Sequence, residues 1–505
     1  MLTLIIFIPL VAAVALLVMD RNNECLLRRV AFLAASISLV LSLAVWMQFD
    51  PADPGMQFVT RISWVKLMGI NYQVGVDGIS LFLVMLTAFL TVIAVACSGS
   101  QKTRVREFLA LLLVLESGIL GVFVAMDMVL FYVFWEIMLI PSYFLIGLWG
   151  EGDRVYATTK FVIYTLVGSL LMLVAILALA LEHYHATHEL TFEIQTLVHT
   201  HIDPATQIWM FLCFFLAFAI KVPMFPLHSW LPHAYMAAPI PVLVLLTGAM
   251  SKAGAYGLIR FCLPLFPEAV ETMGILIGAA AAGGMVYGAW IAVAQRDLKA
   301  LVAWSSVSHL GFIVLGIFAL NGHGIEGSVL QMVNHGIIAS ALFVIVGIIE
   351  EKLGTRNLEN LRGLGKAMPA FYGMFMLVAL AALGLPGLNG FVGEFLILMG
   401  VWQSVLLSDM AAIYVIMGGL AIVFASIYML YMFQGAMQER NESLPGNLTD
   451  IDRRQFGLLL PACLLVVFIG LYPKSIIDRI SPAVDSLLHI EKTVNLHAGE
   501  GKEHH

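Results

Sequence analysis

Long apolar runs separated by short polar segments set the pattern of this chain. A membrane-spanning helix needs roughly 20 predominantly apolar residues. About fourteen stretches meet that need, at approximately 2–19, 29–48, 78–98, 108–126, 128–149, 160–182, 207–230, 240–263, 272–294, 298–320, 325–350, 369–400, 408–436 and 456–473. The runs at 207–230 and 369–400 are interrupted by proline and glycine. The first run, MLTLIIFIPLVAAVALLVMD, has no basic leading region and no small-residue cleavage site, so it reads as a span and not as a removable signal.

Composition narrows the class. Of the 505 residues, 61% are hydrophobic and 12% charged, where a soluble domain carries about 25% charged residues. The mean hydropathy of +0.94 excludes a soluble globular protein. The runs are far longer than the ~10-residue alternating strands of an outer-membrane barrel. The expected fold is an all-α polytopic membrane protein, in contact with the lipid bilayer. The net charge of -7 comes from acids in loops and the tail, and no basic patch suits a nucleic acid. Cys25, Cys97, Cys213, Cys262 and Cys463 are isolated, with no metal or iron–sulfur spacing, so no redox centre is expected in this chain.

Positive charge orients the spans. Seventeen Lys and Arg fall in one set of loops, from Arg21, Arg28 and Arg29 through Lys299 and Arg356 to Arg440, Arg453 and Arg454. Six fall on the other side, at Arg61, Lys66, Lys474, Arg479, Lys492 and Lys502. The asymmetry places both termini outside, which is the periplasmic side if the cell is bacterial. The outside loop 183–206 holds five histidines and no Lys or Arg, and its His183-x-His185 spacing is too loose for a metal site. The closing HAGEGKEHH is expected to be disordered.

The spans divide into an N-terminal three-helix segment (1–107), a first block (108–263), a second block (272–436) and a C-terminal helix and tail (437–505). Each block has five spans with the fourth broken. An odd number of spans inverts the second block relative to the first, and inverted repeats with matching broken helices mark an ion or substrate site near mid-membrane.

The first break is Lys221-Val222-Pro223-Met224-Phe225-Pro226-Leu227-His228, where two prolines remove backbone donors. The second runs from Gly384 to Glu394, with four glycines and Pro386. Freed carbonyls at such depth need partners in protein or water. An ionisable group adjoins each break: Lys221 at the first and Glu394 at the second. Glu136, in LFYVFWEIMLIPSYFLI, and Lys252, in TGAMSKAGAYG, lie in unbroken apolar spans. A charge at the centre of a membrane helix costs roughly 2.5–3.5 kcal/mol on insertion scales, so each is a candidate functional group.

Glu136 is expected to pair with Lys221, because a neighbouring carboxylate favours the ammonium and its withdrawal releases the proton. His309 among Ser305, Ser306 and Ser308, His335 beside Asn334, and His228 at the foot of the first break can relay protons. Asp127 and Asp77 precede spans and read as helix caps. Glu116 lies within a span, with a less defined role, and Arg260 sits at the outer end of its span.

The strings LFYVFWE (130–136), KVP with PLHSWLP (221–232), SSVSHLG (305–311) and GFVGEF (390–395) together resemble the antiporter-like proton-pumping subunits of respiratory complex I, the NADH:quinone oxidoreductase. The resemblance covers nearly the whole chain. Glu394 stands where two of the family's related chains carry lysine. Two local departures are His233, where the family has an acid, and the Pro239-Ile240-Pro241 stretch that follows.

The resemblance implies that Glu136 is the coupling glutamate, Lys221 the central lysine, Lys252 the connecting lysine, His309 and His335 the bridging groups, and Glu394 the terminal group. It implies a translocase subunit, driven by electron transfer to quinone in other subunits that hold flavin and iron–sulfur clusters. Its neighbours would be other membrane-arm subunits, with related antiporter-like chains on either side. The same fold serves multisubunit Na⁺/H⁺ antiporters and membrane-bound hydrogenases, which remain the alternative.

Overall fold

A computed structural model describes residues 1–438 and 448–500, with side chains to His489. Arg440, Lys502, the last two histidines and the side chain of Lys492, which figure in the charge and tail expectations, lie outside what is described. Helix α1 (Leu2–Val18) and α2 (Glu24–Gln48) lead to strands β1 (Gln57–Val65) and β2 (Ile70–Val76), then α3 (Gly78–Cys97), α4 (Val105–Val124) and α5 (Met128–Trp149). The longer helices continue as α6 (Arg154–Thr187), α7 (Pro204–Lys221), α8 (Trp230–Ala237) and the continuous span α9 (Ile240–Leu265). After these come α10 (Pro267–Val293), α11 (Leu298–Ile317), α12 (Gly322–Leu353), α13 (Pro369–Ala382), α14 (Asn389–Gln403), α15 (Ala411–Met437), α16 (Arg453–Leu471) and α17 (Lys474–Glu500).

Among the described residues, twelve helices are long and apolar enough to cross a membrane, while Leu2–Val18 and Pro369–Ala382 are shorter apolar helices. Helices α9, α11 and α12 are buried almost throughout, and α2, α15 and α16 present much of their apolar surface outward. A charged core wrapped by lipid-facing helices follows, since lipid favours an outer apolar surface as readily as the interior does.

Two elements depart from the expected fold, a hairpin in an all-helical chain and a helix in the expected tail. β1 and β2 form an antiparallel hairpin. Its sequence, QFVTRISWV followed by INYQVGV, is rich in β-branched and aromatic residues and alternates as strands do. The hairpin packs on the bundle through a hydrogen bond from the Tyr72 hydroxyl to Thr3 Oγ1 (3.2 Å). The second is α17, which runs through Glu500 and so makes the first four residues of HAGEGKEHH helical. It has a polar and an apolar face and lies along the bundle end, touching α3, α9, α10 and α12. Gly78 packs so tightly on the Arg479 carbonyl that a Cβ there would collide. The N-terminus and α17 therefore share one end of the bundle, the terminal face.

Asp77 and Asp127 cap helices as expected. Asp77 accepts from the backbone of Ile79 and Ser80 (3.2 and 2.9 Å), and Asp127 from Val129 and Leu130 (2.9 and 3.1 Å). Burial pushes the Asp127 carboxyl up, against the lowering effect of these donors and the Asn71 N–H.

Glycine sets the spacing at the junction that matters most. A Cβ on Gly254 would lie 2.6 Å from the Phe218 carbonyl oxygen and 2.7 Å from Val222 Cγ2. Gly254→Val therefore forces α9 away from the first break, and overpacking of this kind costs about 1–3 kcal/mol. Thermal denaturation of the assembled complex is expected to shift down, with NADH:quinone turnover falling alongside it.

Candidate functional site

Helix α7 ends at Lys221, and the chain passes Pro223 and Pro226 before resuming as one 3-10 turn (Leu227–Ser229) and α8. The break is the predicted one, although the resumed half runs on to Ala237 instead of stopping at 230. Its loosened backbone is satisfied within the protein, as a membrane interior requires. Trp230 Nε1 donates to the Ile220 carbonyl (2.8 Å), and the Met224 N–H donates to the Ala219 carbonyl (2.8 Å).

Lys221 is 1% exposed. Its ammonium lies 5.1 Å from the Trp135 ring centroid and 5.9 Å from that of Phe161, within cation–π range. Glu136 acts on it through space, but no ion pair within 4.0 Å joins them. The sequence suggested that the two pair, and what the structure rules out is only a direct contact within 4.0 Å. Successive helical side chains diverge by about 100°, so with Trp135 turned to the lysine Glu136 points aside. Glu136 is also only partly buried, on the flank of the chain, and not enclosed as its apolar neighbours suggested. Its Oε1 has no hydrogen-bond partner among the described residues.

Lys252 sits at the middle of α9, fully buried. The span is continuous, as expected, but not regular: it widens into π turns at Leu246–Met250 and Leu258–Cys262. π turns inside α-helices frequently mark functional positions. Here the wide turn presents the Thr247 carbonyl to the Lys252 ammonium, which donates to it and to Ser251 Oγ (3.2 Å). The same ammonium lies 2.7 Å from His335 Nδ1 on α12.

From His335 the polar chain continues. Its ring centroid is 5.6 Å from that of His309 on α11. His309 Nδ1 is 2.9 Å from Glu394 Oε1, and its Nε2 is 3.4 Å from the Tyr428 hydroxyl. Gln331 Nε2 donates to the same Glu394 oxygen at 3.3 Å. Glu394, 3% exposed, stands in the half-helix α14 that follows the second break. Asn334 holds that break against α12, donating to the Asn389 carbonyl (2.7 Å) and accepting from Asn389 Nδ2 (3.2 Å). A Cβ on Gly390 would collide with the Ala381 carbonyl oxygen, so the crossing of the two half-helices requires glycine there.

Lys252, His335, His309 and Glu394 thus form one contiguous buried chain across three further helices, and Lys221 flanks it at the first break. His228 lies apart, against Phe225, Tyr287 and Trp304, and its Nδ1 has no hydrogen-bond partner among the described residues. Sequence reasoning missed Gln331 and Tyr428. Gln331 was legible in principle, being one turn before His335 on the same face of α12, while nothing singled out Tyr428 among the tyrosines of its span. It also missed Lys299, counted among the loop cations. Lys299 is fully buried, with its nearest carboxylate, Glu151, at 3.9 Å. Glu116 is fully buried too, and neither of its oxygens has a hydrogen-bond partner among the described residues. Helix α6 runs on to Thr187, so His183 and His185 of the expected loop 183–206 are helical, and His183 Nδ1 bonds the Thr200 hydroxyl at 2.8 Å.

Two interrupted helices flanking a line of buried titratable groups define a membrane protein of the ion-translocating, discontinuous-helix class. The chain belongs to the family described as NADH:quinone oxidoreductase/Mrp antiporter, transmembrane, whose profile matches residues 125–424. That stretch holds every residue of the buried chain except Tyr428. The protein is similar to NADH-quinone oxidoreductase subunit M of Rhodobacter capsulatus, 39% identical over 99% of this chain and 98% of the relative. It is similar to the subunit of the same name from Escherichia coli K12, 37% identical over 96% of each. Among solved structures, it superposes on a chain of respiratory complex I from Thermus thermophilus with bound NADH, with a TM-score of 0.88, 29% identity, and coverage of 97% of this chain and 100% of that one.

Proposed function

We propose that this chain is a proton-translocating membrane-arm subunit of an NADH:quinone oxidoreductase. The observation that carries the reading is the buried series Lys252–His335–His309–Glu394, hydrogen-bonded at both ends and joined in the middle by the neighbouring rings of His335 and His309, with Lys221 at the first break. Each member can hold or pass a proton, and a purely structural anchor would gain more from leucine at every one of these positions.

The proposed sequence runs from Glu136 to Glu394. Redox work in partner subunits, which hold the flavin and iron–sulfur clusters, displaces charge near Glu136. Its partial exposure on the flank suits contact with a neighbouring antiporter-like chain. Withdrawal of the Glu136 charge weakens the hold on the Lys221 proton, which passes to Lys252 and along the two histidines to Glu394. His228, apart from the line, serves at most as a group on the uptake side.

The energies are adequate. Moving one charge against 100 mV takes about 2.3 kcal/mol. Two unit charges attract by about 4 kcal/mol at 4 Å and about 2 kcal/mol at 8 Å with an effective dielectric of ~20. A movement of Glu136 between about 4 and about 8 Å from the ammonium would therefore supply about 2 kcal/mol, most of one step, so the approach of Glu136 to Lys221 belongs to the working cycle.

In this reading the two blocks 108–263 and 272–436 are inverted repeats, and both termini lie on the periplasmic side of a bacterial inner membrane. Purification of the chain from native membranes tests the assignment. Co-purifying flavin and iron–sulfur subunits are expected. An assembly of cation/proton antiporter subunits without them supports the alternative, a Na⁺/H⁺ antiporter or hydrogenase-type complex.

A further inference from the structure

Lys252 has a second set of neighbours toward the terminal face. Lys252, Tyr256 and Arg260 follow one another at intervals of four on α9, which stacks them along one side of the helix and spans about 12 Å from first to last. Arg260 is the outermost. Its Nη2 donates to Asp77 Oδ2 at 2.5 Å, and its Nε donates to the Tyr256 hydroxyl at 3.3 Å. Tyr256 is buried, with its ring edge-on to Phe123 at 5.4 Å between centroids.

Above the ion pair is a cavity of about 280 Å³, open at the terminal face, with Asp77, Arg260, Gln195, His199 and Ser486 among its lining residues. The order along α9 is therefore a cavity lined by both polar and apolar side chains, a guanidinium–carboxylate pair, a buried aromatic ring and a buried lysine. The second π turn, Leu258–Cys262, contains Arg260. A π turn differs from an α turn by one residue of register, so its conversion would swing Arg260 around the helix while α9 below stays in place.

We infer that Asp77, Arg260 and Tyr256 form a gate through which Lys252 exchanges protons with the terminal-face aqueous phase, separately from Glu394. Closed, Arg260 bridges Asp77 and the Tyr256 hydroxyl and holds the tyrosine ring on Phe123. Open, Arg260 releases that hydroxyl, the ring leaves Phe123, and water from the cavity reaches Lys252. The inference rests on the translocation reading above. Its bland competitor is a static staple that ties the start of α3 to α9.

Proteoliposomes carrying the intact complex separate these. Tyr256→Ala removes the seal but keeps the ion pair, and Arg260→Gln removes the latch. At matched amounts of assembled complex and without NADH, the decay of a proton gradient imposed by a pH jump is followed with a pH-sensitive dye trapped inside the vesicles. A severalfold faster decay is expected in Tyr256→Ala, with the native rate restored in Tyr256→Ala/Lys252→Met because the leak runs through Lys252. A native rate in Tyr256→Ala, or a leak that persists without Lys252, overturns the gate; Tyr256→Ala decides even if Arg260→Gln does not assemble. Lys221→Ala, measured in parallel, keeps the two readings apart. Lost pumping there with no leak in Tyr256→Ala rejects the gate alone, whereas native pumping there rejects translocation by this chain.

Discussion

Lys252→Met is expected to stop proton pumping while the complex still assembles. The lysine contacts both the Thr247 carbonyl on its own helix and His335 on α12. Methionine fills nearly the same volume but carries no proton, so the line is cut at its centre. The desolvation cost of the ammonium disappears with the charge, which offsets the lost hydrogen bonds to the Thr247 carbonyl and His335. Assembly, read on native gels, should therefore be close to native. Pumping-linked NADH:quinone turnover should fall at least about tenfold, corresponding to about 1.4 kcal/mol or more on the limiting barrier. A lysine that merely fastens α9 to α12 predicts the opposite pattern, a loss of stability with transport retained in whatever complex survives.

Glu394→Gln probes the other end. The amide keeps the size of the side chain and can still bond His309 Nδ1 and Gln331, which hold the carboxylate at 2.9 and 3.3 Å. What it loses is the capacity to take up and release a proton. If Glu394 is the terminal carrier, pumping collapses to a similar extent as in Lys252→Met, with assembly unchanged. If the pair with His309 is structural, the glutamine variant pumps normally and only Glu394→Ala, which removes the hydrogen bonds, is impaired. The two terminal-group variants thus distinguish carrying a proton from holding a helix. Effects in such a chain should be strongly non-additive: once the line is cut at Lys252, a second cut at Glu394 adds little.

The interrupted helices and the buried ionisable groups were legible because each breaks a strong local rule. Two prolines after Lys221 and four glycines before Glu394 cannot sit in a regular membrane helix, and lysine at the centre of an apolar run has few structural excuses. His309 and His335 were legible by the same reasoning, as polar groups inside spans. Contacts across helices were not. Trp135 and Glu136 are adjacent in sequence, and only the rotation of α5 decides which of them meets Lys221. The π turns around Lys252 arise from packing of the whole span, with no local signature beyond Pro239, Pro241 and the small residues. Lys299 looked like one loop cation among many, because burial of a helix start by Glu151 and neighbouring loops is a tertiary event. The hairpin 57–76 and α17 were overlooked for a different reason: a search for apolar runs passes over an alternating strand and an amphipathic helix, whose apolar residues are spread along one face.

The central claim, that protons cross the membrane through this chain, is tested most directly at Lys221. The intact complex carrying Lys221→Ala, reconstituted at matched assembly with the native complex, allows NADH oxidation and proton uptake into vesicles to be recorded in the same sample. The account predicts that proton uptake per NADH oxidised falls well below native and that pumping-linked turnover is lost. Native proton uptake per NADH in the alanine variant would contradict it.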